Sequence, residues 1–159
     1  MTLPTSRLWR ESRATYESDE LRFDGIHMMP KPAAPTGVPV WVSGTLNEAV
    51  IARIARFGAG WIPWGDALGD LASSIPRMRE GVAAHGRDPD GIGVVGSVMV
   101  VHADNGSIDA GATMAGVPDL VKMGVTDVRL FMAIPPSRDE LADRLGRLVA
   151  AFRGVVPPA

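Results

Sequence analysis

With 159 residues, 46% of them hydrophobic and 21% charged, the chain is long enough for one globular domain and too short for two comfortable ones. A formal charge of −2, with no cluster of Lys and Arg, leaves no electrostatic footprint for a nucleic-acid partner, and no apolar run approaches the ~18 residues of a membrane span. The absence of cysteine excludes disulfides, thiolate nucleophiles and cysteine-based zinc sites, and together with a start that lacks the apolar core of a signal peptide it suggests the cytoplasm.

Residues 1–37 read as an N-terminal helix followed by a Pro-rich connector. Pro4, Thr5 and Ser6 can cap a helix from Arg7 to about Tyr16, whose only substantial apolar residues are Leu8 and Trp9. Leu21, Phe23 and Ile26 alternate with Arg22 and Asp24 around Gly25, the pattern of a short β excursion. Four prolines between Met28 and Pro39 make the rest an extended connector, and His27 just before it reads as a solvated loop histidine.

From residue 38 to 154 the pattern is β/α four times over. Val38 to Val42 is a short β-branched run that stops at Ser43 and Gly44. Thr45 with Glu48 then forms a capping box for a helix from Leu46 to about Phe57, with Val50, Ile51, Ile54 and Ala55 on one face. Such a turn leaves N–H groups facing open space at the positive end of a helix dipole, a place for an anion such as a cofactor phosphate. It is equally the shape of a well-capped turn with no ligand.

Gly58 and Gly60 stop the helix, and Trp61 to Gly65 reads as a buried strand ended or pushed to an edge by Pro63. Asp66 to His85 carries Leu68, Leu71, Ile75, Met78 and Val82 at helical spacing, with a kink or a second start expected at Pro76. Ile92 to Val101 reads as an interior strand, 103–117 as a surface loop or frayed helix, and Asp119 to Met123 as a short helix opened by Pro118 and closed by Gly124. Val125 to Met132 is the fourth strand. Ser137 with Glu140 is a second capping box, for a helix to about Phe152 that aligns Leu141, Leu145, Leu148, Val149 and Phe152. Residues 155–159 read as a loose tail.

Strands alternating with helices imply an α/β fold with a parallel sheet, either an open doubly wound sheet or a piece of a closed (β/α)8 barrel, whose full form takes ~250 residues. No Gly-x-Gly-x-x-Gly follows a strand, which disfavours a nicotinamide-binding domain. His27, His85 and His102 are scattered, so no metal site is expected. No acid, base or nucleophile stands out at the strand ends, and no catalytic residue is assigned.

The stretches Leu21-Arg22-Phe23-Asp24-Gly25-Ile26, Pro30-Lys31-Pro32, Val38 to Gly44 and Arg53 to Gly65 follow one another in a familiar order. Gly86-Arg87-Asp88-Pro89, Ala115 to Leu120 and Gly124-Val125-Thr126-Asp127-Val128 continue it. This series resembles the luciferase-like monooxygenases (bacterial luciferase-like), and within them the F420-dependent oxidoreductase branch. The resemblance implies a TIM barrel of (β/α)8 type, of which this chain carries the C-terminal half-barrel with four parallel strands. It implies a flavin-type cofactor, F420 or FMN, across the carboxyl ends of the strands, and hydride transfer or oxygenation of a small organic substrate.

By the same resemblance Ser43, Gly44 and Thr45, with Asn47 nearby, are the turn that holds the cofactor phosphate. Trp64 and Gly65 on the same rim would wall its ring, with Trp64 as a plug of the barrel interior as the other option, and His102 is a weaker candidate there. Ala59 departs from the pattern, since many relatives carry Asp at that position, and the first four β/α units are not in this chain. A half-barrel would expose its interior and two strand edges, so a homodimer, or pairing with a chain that carries the N-terminal half, is expected. The implied function is a flavin- or F420-dependent oxidoreductase or monooxygenase, incomplete as a lone chain. The alternative is a truncated, non-catalytic flavin-binding or vestigial half-barrel.

Overall fold

A computed structural model describes residues 4–34 and 37–156. Their contacts divide the chain into two units, Met1–Pro39 and Val40–Ala159.

In the first unit, helix α1 (Pro4–Arg10) precedes a hairpin of β1 (Ala14–Glu17) and β2 (Arg22–Ile26). The helix expected to reach Tyr16 therefore stops at Arg10. Beyond Trp9 and before Tyr16 its one apolar residue is Ala14, which is buried as the first residue of β1, and Thr15 and Tyr16 gain partners across the hairpin. The Tyr16 ring stacks on Phe23 at 5.8 Å, and the Thr15 hydroxyl donates to Asp24 at 2.7 Å. Lys31 Nζ donates to the carbonyls of Leu8 and Glu11 at 2.8 and 2.5 Å. It thereby meets the orphan acceptors at the end of α1 and ties the Pro-rich connector back to the helix. Pro35 and Thr36 of that connector lie outside the described residues.

The second unit is a four-stranded parallel sheet of β3 (Trp41–Gly44), β4 (Gly60–Pro63), β5 (Gly93–Ser97) and β6 (Asp127–Arg129), in the order β3-β4-β5-β6. Strands that neighbour one another in chain order, with no reversal, form the wall of a barrel rather than a doubly wound sheet. Helices α2 (Glu48–Phe57), α3 (Asp66–Gly69), α4 (Leu71–Ala84), α5 (Ala110–Met114), α6 (Val117–Met123) and α7 (Arg138–Val155) form the connections and the outer layer. One core joins Val42, Trp61 and Val94 of the strands to Ile54, Ile75, Met78 and Val82 of α2 and α4. A second joins Val98, Met114, Val117 and Leu148.

The opposite face of the sheet is the inner wall. Trp41, Gly60 and Gly93 stand side by side in register, and the Trp41 indole lies across both glycines. A Cβ built on Gly93 falls 2.6 Å from Trp41 Cη2, and one built on Gly60 collides with the indole Cε3 and Cζ3. Past this layer, Ile62, Val95, Asp127 and Arg129 line a concavity of about 680 Å³.

Several boundaries differ from the sequence-based expectation, and each for a tertiary reason. β3 starts at Trp41 instead of Val38, which is 52% exposed, and it runs on through Ser43 and Gly44, paired with Ile62 and Pro63. The N-cap of α2 is consequently Asn47, whose Oδ1 accepts the Val50 N–H at 3.0 Å, and the Thr45 capping box does not form. β4 ends at Pro63, as proline predicts, which leaves Trp64 and Gly65 beyond it.

The long helical stretch breaks at Asp70, not at Pro76. Asp70 caps α4 by accepting the Ser73 N–H at 3.2 Å and the Ser73 hydroxyl at 2.5 Å, while Pro76 sits on the exposed side of the second turn. β5 and β6 are shorter than expected, since Met99 is 84% exposed and the Val101 N–H turns to the Thr113 hydroxyl at 3.0 Å. Residues 110–114 form a short helix capped by Asp109, the helical one of the two readings of 103–117, and α7 runs to Val155. Residues 157–159 of the tail lie outside the described residues.

Because Asn47 rather than Thr45 supplies the cap, Asn47→Ala lowers stability by about 1 kcal/mol and Thr45→Ala by less than about 0.5 kcal/mol. Urea unfolding of the two variants checks this, and the reverse ranking would overturn the assignment of the cap.

Candidate functional site

The carboxyl ends of β3 and β4 converge on one small region. Gly44, the last residue of β3, has φ +151°, and a Cβ there would stand 3.0 Å from Val50 Cγ2. Its carbonyl accepts the indole N–H of fully buried Trp61 at 3.0 Å, so β4 fixes the exit of β3. Gly65 leaves β4 with φ +57° and ψ −136°, a conformation open in practice to glycine alone. A Cβ on Gly65 would lie 3.3 Å from Thr45 Oγ1. Thr45 and Gly65, placed twenty residues apart by the sequence, are thus neighbours at the rim.

Thr45 opens onto a cleft of about 310 Å³ shared with Asp66, Asp70, Ser73, Ser74 and Arg77. Ser74 is buried, and the Asp70 carboxyl is held below its usual range by the Ser73 hydroxyl and then by the Ser73 N–H. Hydroxyls from Thr45 and Ser74, the Arg77 guanidinium and two carboxylates make a mixed donor and acceptor set. That set suits a polar, hydroxyl-bearing group better than an apolar ring, and its two carboxylates against one guanidinium favour hydroxyls over a phosphate. Asp66, Ser74 and Arg77 escaped sequence reasoning because they sit on α3 and α4 with no local motif. The register of an apolar stripe with its polar remainder was the one available signal.

The other sequence candidates fall elsewhere on this rim. Ser43 is exposed on β3. Asn47 Oδ1 accepts the Val50 N–H, which leaves the amide N–H groups of this exposed side chain as donors, and the Glu48 carboxylate beside it lies 3.2 Å from His85 Nε2. Trp64 is 61% exposed just past β4, while the Trp41 indole lies across the inner wall. His102 makes its contact inside its own loop, Nδ1 to the Gly106 carbonyl at 3.2 Å, and His27 Nδ1 lies 2.6 Å from the Ser12 carbonyl. Among the described residues no group of three His, Asp or Glu stands close enough to hold a metal, and no helix is long and apolar enough to cross a membrane.

Comparison with known proteins bears on the same fold. A long-chain alkane monooxygenase superposes with a TM-score of 0.61 at 14% identity, over 97% of this chain and 55% of that one. The likeness is one of fold and makes the sheet and its helices part of a TIM barrel. A coenzyme F420-dependent tetrahydromethanopterin reductase from Methanopyrus kandleri is similar at a lower TM-score of 0.49, with 14% identity over 98% of this chain and 45% of that one. Uncharacterized proteins of Mycobacterium tuberculosis and Mycobacterium bovis are 29% identical over 147 residues, which are 90% of this chain and 45% of theirs. The chain thus spans about half the length of the curated relatives it matches. The sequence pattern of the luciferase-like monooxygenases matches residues 5–112, from the first helix past the fifth strand and through the whole candidate cleft, and the chain belongs to that family.

Proposed function

We propose that this chain forms the cofactor-holding half of a flavin- or F420-dependent oxidoreductase or monooxygenase that acts on a small organic substrate. The observation that carries the reading is the meeting of Thr45 and Gly65 at the carboxyl ends of two neighbouring parallel strands, where barrel enzymes of this kind build their sites. The donor set fits the polar tail of such a cofactor. Thr45 and Ser74 offer hydroxyls, Arg77 offers a positive charge, and the absence of a side chain on Gly65 keeps the entrance beside Thr45 clear. Trp64, exposed on the same rim, offers a flat apolar surface to a ring system. When bound, the cofactor supplies the hydride or oxygen chemistry, and the chain's own residues hold its tail and orient it.

Family membership supports F420 and FMN equally, and a titration with each decides between them. Thr45→Ala weakens binding of the preferred cofactor about tenfold, some 1.4 kcal/mol, well beyond its stability loss of less than about 0.5 kcal/mol. Unaltered binding by the variant overturns the assignment of the tail site. A second reading, a half-barrel that binds without turnover, is favoured by the lack of an acid, base or nucleophile that stands out at the carboxyl ends of the described strands. Cofactor binding with no reduction or oxygenation of any substrate would establish it.

A further inference from the structure

Ser97 and Arg129 are Cα partners and the last residues of β5 and β6. By the two-residue period of a strand they stand on the face of Val95 and Asp127, one level nearer the carboxyl ends. Arg129 lines the same concavity as Trp41, Ile62, Val95 and Asp127, so it belongs to the inner wall at the rim where Thr45 and Trp64 follow β3 and β4. Ser97 is exposed and Arg129 half-buried.

The Arg129 guanidinium forms no ion pair within 4.0 Å among the described residues. It rests 5.9 Å from the centre of the Phe131 ring, which is 75% exposed. Asp127, one level deeper, accepts the Thr126 hydroxyl at 2.7 Å. A planar fork of N–H donors, a hydroxyl and an aromatic face thus stand together at the ends of two adjacent strands. A guanidinium grips a carboxylate through two parallel charge-assisted hydrogen bonds, which a neutral amide cannot match. The Ser97 hydroxyl adds a third donor, and the Phe131 ring offers its face to an apolar body. The order β3-β4-β5-β6 puts Thr45 at one end of the rim and Arg129 at the other, about 14 Å away at ~4.8 Å per strand. A cofactor with its tail at Thr45 and its ring over Trp64 leaves Ser97 and Arg129 to the second reactant.

We propose that Ser97 and Arg129 form an anion subsite for the substrate, which is a small organic acid with its carboxylate on the guanidinium and the hydroxyl and its apolar body against Phe131. That the acid is a substrate rests on the cofactor reading above; that it binds here rests on β5, β6 and Phe131 alone. An oxyanion of the cofactor itself is the other source of the same chemistry.

The test titrates the full chain with benzoate and with benzamide, its neutral isostere, and reads the Ser97 amide and the Arg129 Nε–H by NMR. Benzoate is expected to shift both signals and to bind at least tenfold more tightly than benzamide. Arg129→Gln, shown to be folded by circular dichroism, weakens benzoate at least tenfold and leaves the affinities for benzamide, FMN and F420 unchanged. Arg129→Lys, which keeps the charge but not the fork, recovers part of the loss. Equal binding of benzoate and benzamide, unchanged benzoate binding by Arg129→Gln, or shifts confined to other residues would overturn the proposal. So would a loss of FMN or F420 affinity in Arg129→Gln, which would give the guanidinium to an oxyanion of the cofactor. Benzoate binding at Arg129 by a chain that binds neither cofactor would uphold the anion subsite and remove the cofactor reading. Cofactor binding with no benzoate site would do the opposite.

Discussion

Gly60→Ala destabilises the protein by about 3 kcal/mol, the upper range for a methyl group forced into a packed layer. The added Cβ would occupy the position of the Trp41 indole, and the indole is held on its other end by Gly93, where a Cβ would fall 2.6 Å from Cη2 and 3.1 Å from the Thr126 hydroxyl. Trp41 cannot slide away from one glycine without meeting the other strand. The measurement is chemical unfolding of Gly60→Ala alone and in a Trp41→Leu background. With the indole removed, the alanine costs little, and the two changes couple favourably by about 2 kcal/mol. An unchanged cost in the Trp41→Leu background would mean that the strain lies in the backbone of β4 and not in the layer above it.

That contact also marks the limit of what the chain discloses locally. Gly60 reads as helix punctuation and Gly93 as an ordinary strand residue, because the reason for both is a tryptophan on another strand, one strand from Gly60 and two from Gly93. Features set by near neighbours were legible: Pro63 ends β4, Gly124 closes α6 in the left-handed conformation, and the Ser137 hydroxyl receives the Glu140 N–H at 3.4 Å. The parallel β/α order was legible for the same reason, since each strand and helix carries its own period and its own stop.

Boundaries that depend on a partner strand were not legible. Met99, Val101 and Phe131 have strand composition but no ladder to join, and Ser43 and Gly44 have turn composition but a ladder that claims them. The last shift moves the helix cap from Thr45 to Asn47 and so changes the site. Thr45, released from capping, faces the cleft, while Asn47 takes over the cap through its Oδ1 and keeps its amide N–H donors. Thr45 and Gly65 were visible as small residues after strands. Ser74 and Arg77 were not, because only the break at Asp70 turns the first turns of α4 toward them.

Trp61→Ala costs about 3–5 kcal/mol, as expected for the loss of a fully buried indole from the core between the sheet and α2 and α4. Trp61→Phe separates that packing from a second role. It keeps most of the apolar volume but leaves the Gly44 carbonyl without its donor, at a cost of about 1–3 kcal/mol. Because that carbonyl ends β3 immediately before Thr45, the freed turn changes the position of the cleft's hydroxyl relative to Gly65. Trp61→Phe therefore weakens FMN or F420 binding beyond what its stability loss explains. Ile54→Val, an equally buried position in the same core with no contact to the turn, loses about 1 kcal/mol of stability and leaves binding unchanged. Comparing the two by cofactor titration and urea unfolding distinguishes a turn held for binding from a tryptophan held only for packing. Equal binding by both variants would assign Trp61 to packing alone.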